Sequence, residues 1–230
     1  MTKVYTSEIE IPLLKIILCG RSGVGKTNIL QVFNKEPFTS RHLSTVGLDF
    51  RVKSIEMDDG LYKLQVIDTA GKKALKIPNM KEYYESADAI IVVYDITSKS
   101  SGKYLKEVKE EIQRMNLTNN KFTYILVGNK SDDRENRKIS VEDGNKLSLD
   151  FDGNFLEVSA KDNKYIVDLF EIVIRYVNEK KLDIKRNDER DRRNNLKRKN
   201  EFEFFHIFQI KKNLNEIYNY SFFLSLNIIR

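Results

Sequence analysis

Residues 20–27 form the stretch that most constrains this chain. They read GRSGVGKT, which fits the pattern G-x-x-x-x-G-K-[ST], and they directly follow the apolar run Leu13–Cys19. A loop that binds polyphosphate brings several backbone N–H groups close to its ligand, so it needs glycine where a Cβ would block the approach or where φ is positive. Gly20 and Gly25 occupy those positions. The spacing therefore predicts a phosphate-binding loop that opens a helix.

Two side chains of this loop have chemistry that suits a nucleoside triphosphate. We expect the Lys26 ammonium to reach the β- and γ-phosphates and the Thr27 hydroxyl to coordinate Mg²⁺. A glycine turn that binds no ligand is the alternative interpretation. The neighbouring residues expected to belong to the same nucleotide site are Arg21, Ser22, Gly23, Val24 and Asn28.

The composition indicates a soluble globular protein. The chain has 230 residues, of which 40% are hydrophobic and 32% are charged, so one domain with an extension is expected. Cys19 is the single cysteine, which excludes a disulfide framework and favours a reducing compartment. No apolar run approaches the ~18 residues of a membrane span. We therefore expect a cytoplasmic protein, or one that lies peripherally on the cytosolic face of endomembranes.

The positive charge of the chain is concentrated near its C-terminus. The formal net charge is +6, and residues 179–200 contain ten Lys or Arg against five Asp or Glu. The preceding residues are therefore close to neutral. We expect an N-terminal tail (residues 1–10), a folded domain (residues 11–180) and a basic, aromatic extension (residues 181–230) that is disordered or partly helical.

Strand and helix patterns alternate along the expected domain. An Asp58-Asp59-Gly60 turn joins the second and third strands into an antiparallel hairpin. The alternation predicts an α/β fold of the P-loop NTPase type, with a six-stranded, mostly parallel sheet flanked by helices. The predicted strands are Leu13–Cys19, Phe50–Glu56, Tyr62–Asp68, Ala89–Asp95, Phe122–Val127 and Phe155–Val158. The predicted helices are Lys26–Phe33, Gly102–Met115, Val141–Leu149 and Tyr165–Val177.

Polar motifs follow three of these strands, at the sheet edge where such folds bind ligands. In the sequence DTAG, the Asp68 carboxylate can hold Mg²⁺ through water and the Gly71 amide can approach a γ-phosphate. A plain turn would use the same residues.

The motif NKSD predicts recognition of guanine. The Asp132 carboxylate can accept two hydrogen bonds from the N1–H and the exocyclic amine of guanine, an edge that adenine does not present. Lys130 would lie along the base, and Asn129 would tie this loop to the phosphate loop. Taken alone, NKSD is also typical of an ordinary polar turn. After the last strand come Ser159, Ala160 and Lys161, and the Ala160 N–H is expected to donate to the guanine oxygen.

The ordered motifs GRSGVGKT, TVGLDF, DTAG, NKSD and SAK resemble those of Ras-related small GTPases, and the resemblance covers about residues 11–180. Residues 45–50 and the segment YYESAD followed by IIVVYDIT are similar to the Rab branch. The resemblance implies a monomeric switch in vesicle or membrane trafficking that binds GTP or GDP with Mg²⁺. Effectors, an exchange factor and an activating protein would contact its two switch loops, and no specific nucleic-acid partner is expected.

The resemblance also implies roles for individual residues. Thr45 would coordinate Mg²⁺ and sense the γ-phosphate in switch I, and Gly71 would sense it in switch II. Phe38 would pack against guanine, although a core anchor for its loop is an open alternative. Together with residue 72, Thr45 and Gly71 are the expected catalytic positions.

Lys72 departs from the family pattern, which has Gln at this position to orient the attacking water. An ammonium has three donors and no acceptor, so Lys72 cannot accept a proton of that water. We expect intact nucleotide binding and slow hydrolysis. Three alternatives stay open: a partner supplies the missing group, another residue positions the water while Lys72 points to solvent, or the protein is a pseudo-GTPase that acts as a constitutive interaction module.

Other departures concern partners and membranes. Ile67 and His42 replace a Trp and a Tyr at positions that effectors usually contact, and no C-terminal cysteine is present for prenylation. The basic run 180–199 could approach anionic lipids or nucleic acid, with a solvated tail as the alternative. The helical spacing around residues 207–217 indicates an amphipathic helix. A misassigned exon is a further explanation of this extension.

Overall fold

The computed structural model describes residues 11–40, 47–69, 71, 80–115 and 122–227, with side chains described as far as residue 198. The chain divides into two compact units, of which one ends at Lys180 and the other begins at Lys181. The first unit is an α/β domain, and the described backbone of the second unit is helical.

Six strands and five helices make up the described part of the chain. The strands are β1 (Leu13–Cys19), β2 (Leu48–Met57), β3 (Gly60–Thr69), β4 (Ala89–Asp95), β5 (Thr123–Asn129) and β6 (Asn154–Glu157). The helices are α1 (Lys26–Phe33), α2 (Met80–Glu85), α3 (Lys99–Arg114), α4 (Val141–Leu149) and α5 (Ile166–Asn227).

The strands form one sheet in the order β2-β3-β1-β4-β5-β6. Only β2 and β3 are antiparallel to each other, as the hairpin turn predicts, and the other neighbours pair in parallel. The expected α/β fold with a six-stranded, mostly parallel sheet is therefore confirmed. Because the parallel strands end at the same edge, the loops that follow β1, β3, β4, β5 and β6 meet there.

Helices cover both faces of the sheet and form two hydrophobic cores. Helices α1 and α5 pack on one face, while α2 and α3 pack on the other. All seven residues of β4 are buried between the two cores, as its aliphatic sequence predicts. On the first face the rings of Phe33 in α1 and Phe170 in α5 stack with centroids 3.7 Å apart. This stack holds the helix that begins in the phosphate loop.

Several element boundaries differ from the prediction. Helix α3 begins at Lys99 rather than Gly102, because the Ser101 hydroxyl donates to the carbonyl oxygens of Ser98 (2.7 Å) and Asp95 (3.0 Å) and organises its first turn. Helix α2 was not predicted, since its six residues are too few to display a helical period. Strand β5 extends two residues past Val127 and so includes Asn129.

Helix α5 continues past the predicted end at Val177 and reaches Asn227. Leu182 and Leu196 are exposed, as are the basic residues between them. The side chains of the apolar residues spaced along 207–217 lie outside the description. Within the described residues, no helix has a run that is long and apolar enough to cross a membrane.

The Phe33–Phe170 stack predicts a large effect of truncation. Phe170→Ala should lower the free energy of unfolding by about 3–5 kcal/mol, because it leaves a cavity between α5 and α1. Val167→Ala, on the exposed side of the same helix, should change it by no more than about 0.5 kcal/mol. Urea unfolding followed by circular dichroism measures both, and equal effects of the two substitutions would contradict the packing described here.

Candidate functional site

The phosphate loop runs from the end of β1 to the start of α1. Gly20 has φ 143° and Gly25 has φ 95°, so both adopt backbone conformations that favour glycine. A Cβ on Gly20 would clash with the Val93 carbonyl oxygen, and one on Gly25 would clash with the Asn129 amide. The two glycines named from the spacing are therefore required by backbone geometry as well as by close packing.

Lys26 lies inside this loop. Its ammonium donates to the carbonyl oxygens of Gly20 (3.0 Å) and Arg21 (3.3 Å), and the residue is only 6% exposed. Burial lowers the pKa of Lys26, and the nearby Asp68 carboxylate opposes that shift. A polyphosphate next to this ammonium would supply negative charge, and its interaction with Lys26 would be strong in so buried a place.

Thr27 and Asp68 bring two oxygen ligands together beside the loop. Thr27 Oγ1 donates to Asp68 Oδ2 at 2.5 Å, and Asp68 is fully buried at the end of β3. A hydroxyl and a carboxylate fit Mg²⁺, which prefers oxygen ligands and usually takes one or two carboxylates together with water and substrate phosphates. No group of three or more His, Cys, Asp or Glu suited to a metal occurs among the described residues. The pair therefore fits a metal ion that is also held by phosphate.

Gly71 lies against the phosphate loop. Its φ is 58°, and a Cβ added to it would be 2.7 Å from the backbone nitrogen of Ser22. The DTAG segment thus approaches the phosphate loop at a point where only a residue without a side chain fits.

A cavity of about 270 Å³ opens beside the loop. One wall comes from the phosphate loop and the start of α1, and the other comes from the loops after β5 and β6. Phe38 lines the cavity and is 39% exposed, so its ring is accessible to a ligand. The lining residues are Gly23, Gly25, Asn28, Phe38, Thr39, Ser40, Asn129, Lys130, Asp132, Asp133, Ala160 and Lys161.

Asn129 connects three of the loops around this cavity. Its Nδ2 donates to the Val24 carbonyl oxygen at 2.8 Å, and its Oδ1 accepts from the Ala160 N–H at 3.2 Å. The connection to the phosphate loop has the form that the sequence predicts. The Ala160 N–H, which the sequence directs at a guanine oxygen, already donates to Asn129 here.

Asp132 is held at the cavity by the loop after β6. Its Oδ1 accepts from Ser159 Oγ at 2.6 Å, and its Oδ2 lies 3.7 Å from the Lys161 ammonium. A carboxylate oxygen accepts more than one hydrogen bond, so these contacts leave Asp132 able to accept from a ligand. Two of the predicted SAK residues thereby orient the acid.

Lys130 also lines the cavity, and its ammonium pairs with a residue that none of the predicted nucleotide-binding motifs includes. Lys130 Nζ lies 2.6 Å from Asp95 Oδ2, at the end of β4. Sequence reasoning missed Asp95 because it was assigned only to a strand. Its position at the carboxyl end of a central strand was the one available signal.

Some predicted site residues do not line the cavity, and others lie outside the described residues. Arg21 lies in the phosphate loop but its guanidinium donates to Ser100 Oγ in α3, and Ser22 is exposed. The positions expected to sense the γ-phosphate and to carry catalysis, Thr45 and Lys72, lie outside the described residues, as does His42. Conversely, the cavity lining includes three polar residues that the sequence analysis did not select, Thr39, Ser40 and Asp133.

The chain is similar to known proteins along most of its first unit. The model of the Ras family matches residues 15–179. Ras-related protein RIC1 of Oryza sativa subsp. japonica is 42% identical over 150 residues, which are 65% of this chain and 73% of that protein. Ras-related protein Rab-8A of Bos taurus is 36% identical over 168 residues, 73% of this chain and 80% of that protein. GTP-binding protein ypt2 of Schizosaccharomyces pombe is 34% identical over 171 residues, 74% and 84% of the two chains.

Removal of the Asn129 side chain should destabilise the fold as well as the cavity. Asn129→Ala leaves the buried Val24 carbonyl and the Ala160 N–H without their partner, so the free energy of unfolding should fall by about 2–4 kcal/mol. Asn145→Ala removes an exposed hydrogen bond to Val141 within α4 and should cost less than about 1 kcal/mol. Urea unfolding compares the two, and equal losses would show that Asn129 does not bridge these loops.

Proposed function

The chain belongs to the Ras family, with Rab-like small GTPases among its relatives, and we propose that it is a guanine-nucleotide-dependent switch in vesicle or membrane trafficking. The observation that supports this proposal is the cavity that Asn129 joins to the phosphate loop, because a base bound there would lie beside phosphates bound by the loop. Asp132 and Lys26 then supply the two kinds of charge that a guanine nucleotide needs.

The phosphates would lie across the loop from Gly20 to Thr27. The backbone N–H groups of Ser22, Gly23, Val24 and Gly25 are the proposed donors, and the N-terminus of α1 adds a favourable dipole. Lys26 would exchange its contacts with loop carbonyl oxygens for phosphate oxygens, and Asn28 would border the nucleoside. This arrangement holds GTP and GDP alike.

The base would lie in the cavity, between Phe38 on one side and Lys130 on the other. Asp132 would accept from the guanine N1–H and exocyclic amine, which selects guanine over adenine. Ser159 and Lys161 hold this carboxylate in place, so their role is orientation.

Switching would depend on the residues around the γ-phosphate. Thr27 and Asp68, with Thr45 in the GTP form, are the proposed ligands of Mg²⁺, which when bound neutralises charge on the β- and γ-phosphates. Gly71 lies against the phosphate loop, beside Ser22, and its amide is the proposed sensor of the γ-phosphate. Loss of that phosphate would release Thr45 and Gly71, so the two switch segments would relax after hydrolysis.

Members of the Ras family hydrolyse GTP, and we infer that this chain does so slowly. Lys72 occupies the sequence position at which the family has a Gln that accepts a proton of the attacking water, and an ammonium cannot accept one. The second candidate is a pseudo-GTPase that stays bound to nucleotide and serves as a constitutive interaction module. The presence of Lys at position 72, where the family has Gln, favours this candidate, and the hydrolysis rate decides between the two.

Partners would bind to the surface that β2 and α2 form around Phe50 and Tyr83. Phe50 is 44% exposed, and its ring lies 5.8 Å from the Tyr83 ring, so an apolar contact surface is present there. Ile67 lies opposite Phe50 in the β2–β3 pair but is only 3% exposed, so it belongs to the core and not to this surface. Effectors, an exchange factor and an activating protein are the proposed partners, and the basic extension would bring the protein to anionic membrane surfaces.

Asp132→Asn tests the base pocket. The amide replaces a carboxylate oxygen by a donor that opposes the donors of guanine, so GDP affinity should fall at least about 100-fold. Titration of the full chain with fluorescent GDP in the presence of Mg²⁺ measures this. Asp150→Asn removes an exposed charge at the end of α4 and should leave the affinity unchanged. A wild-type protein that does not retain guanine nucleotide would refute the proposed function.

Lys72→Gln tests the hydrolysis. In single turnover on the full chain preloaded with GTP, we expect the variant to hydrolyse at least about tenfold faster than the wild type, because Gln both accepts from and donates to the water. Lys73→Gln makes the same charge change one residue further on and should leave the rate unchanged. If the wild type hydrolyses GTP as fast as Lys72→Gln, Lys72 does not slow hydrolysis, and the protein is a switch that its own GTP hydrolysis turns off.

A further inference from the structure

Asp95 lies at the centre of the sheet edge that carries the nucleotide site, yet it belongs to none of the binding motifs. It ends β4, is 7% exposed and pairs in register with Asn129 of β5. The next residue, Ile96, donates its N–H to the Asn129 carbonyl oxygen at 3.1 Å. Asp95 therefore lies immediately beside the strand that leads into NKSD, but it does not line the cavity.

Both carboxylate oxygens of Asp95 are engaged, and on opposite sides. Oδ2 accepts from Lys130 Nζ at 2.6 Å, while Oδ1 accepts from the Thr97 backbone N–H (2.8 Å) and the Thr97 hydroxyl (2.7 Å). The Asp95 backbone is held by Ser101 of α3, which exchanges two hydrogen bonds of 3.0 Å with it. The acid is thus rigidly placed, and it presents one oxygen to Lys130.

Lys130 needs such a partner. Its backbone is left-handed, with φ 68°, and its side chain is 37% exposed where it borders the cavity. A lysine side chain has four rotatable bonds and loses much conformational freedom when it is held in one position. Among the described residues, Asp95 is the one acid that forms an ion pair with Lys130. The ion pair therefore holds the Lys130 ammonium at Asp95, so the aliphatic part of the Lys130 side chain extends in one direction along the cavity.

We propose that Asp95 is a positioning residue that sets how long the protein retains guanine nucleotide, because it holds Lys130 along the base. The inference rests on the proposed function of the cavity. It assigns a control of nucleotide dissociation to a buried acid on β4, outside the phosphate loop and the NKSD and SAK motifs.

A carboxylate is the group that this position requires. It meets donors on both sides, and an amide has one acceptor oxygen and one donor nitrogen. In Asp95→Asn the oxygen can face either Thr97 or Lys130, and the nitrogen then opposes the donor on the other side. Since the Thr97 N–H belongs to the backbone and cannot move away, Lys130 is the side that loses its partner.

The substitution also separates positioning from plain electrostatics. Asp95→Asn removes a negative charge close to a site for an anionic ligand. The loss of Coulomb repulsion would by itself slow the release of nucleotide. Loss of a positioned Lys130 would accelerate the release. The two explanations predict opposite signs.

The experiment measures dissociation of fluorescent GDP from the full chain loaded in the presence of Mg²⁺. We expect Asp95→Asn to dissociate about 10- to 100-fold faster than the wild type, as for the loss of a hydrogen bond between charged groups. Asp88→Asn, at the other end of β4, alters a carboxylate that accepts from the Lys15 backbone N–H and should leave the dissociation rate unchanged. An unchanged or slower rate in Asp95→Asn overturns the proposal.

A double-mutant cycle with Lys130→Ala distinguishes positioning from a general loosening of the fold. If Asp95 acts through Lys130, then adding Asp95→Asn to Lys130→Ala should change the rate by no more than about twofold. The same large factor in both backgrounds would show a merely structural role and would overturn the proposal.

A second variant keeps the test decisive if Asp95→Asn does not fold. Thr97→Val keeps the acid and its charge but removes one of the hydrogen bonds that hold it, and it should accelerate release about 3- to 10-fold. No acceleration overturns the positioning role. If the wild type itself retains no GDP, the proposed function fails together with this inference. If the wild type retains GDP but the variants dissociate it at the wild-type rate, only this inference fails.

Discussion

The site depends on one buried amide side chain. Asn129 reaches from the end of β5 to the Val24 carbonyl oxygen in the phosphate loop and to the Ala160 N–H after β6. These three loops follow strands that are far apart in sequence, and hydrogen bonds between them hold the cavity in shape. Because the groups are buried, loss of one partner would leave the others without compensation from water. The binding geometry and the stability of this edge of the sheet are therefore coupled.

The sheet and its two cores hold the loops that Asn129 joins. The Phe33–Phe170 stack fixes α1 on one face, and the buried strand β4 separates the two cores at the centre of the sheet. Among the described residues, the buried charged side chains are Lys26, Asp68 and Asp95, and they lie at the carboxyl edge of the sheet. Lys26 donates to loop carbonyl oxygens, Asp68 accepts from the Thr27 hydroxyl, and Asp95 forms an ion pair with Lys130. Such placement in a largely apolar frame makes their interactions with a ligand strong and directional.

Much of this arrangement could be predicted because it depends on local pattern. The aliphatic run of β4, the hairpin turn before β3 and the glycine spacing of the phosphate loop each identify a local structure that needs those residues. Prediction failed where the signal was short or not local. Helix α2 has too few residues for a period, and the first turn of α3 is organised by Ser101, a residue type that is not typical of helices. Asp95 looks like the end of a strand until its distance to Lys130 is known.

The sequence by itself determined the chemistry of the site: an ammonium after a glycine loop, a hydroxyl and a carboxylate suited to Mg²⁺, and an acid suited to guanine. It also determined the order along the chain of the six strands and of every described helix except α2, because backbone preferences and hydrophobic periods act over a few residues. Only the tertiary structure decided which of these groups touch. The contacts of Asn129 with Val24 and of Lys130 with Asp95 join residues 105 and 35 positions apart in the chain. Such pairs form because parallel strands end at a common edge, a relation that the order of residues along the chain does not contain.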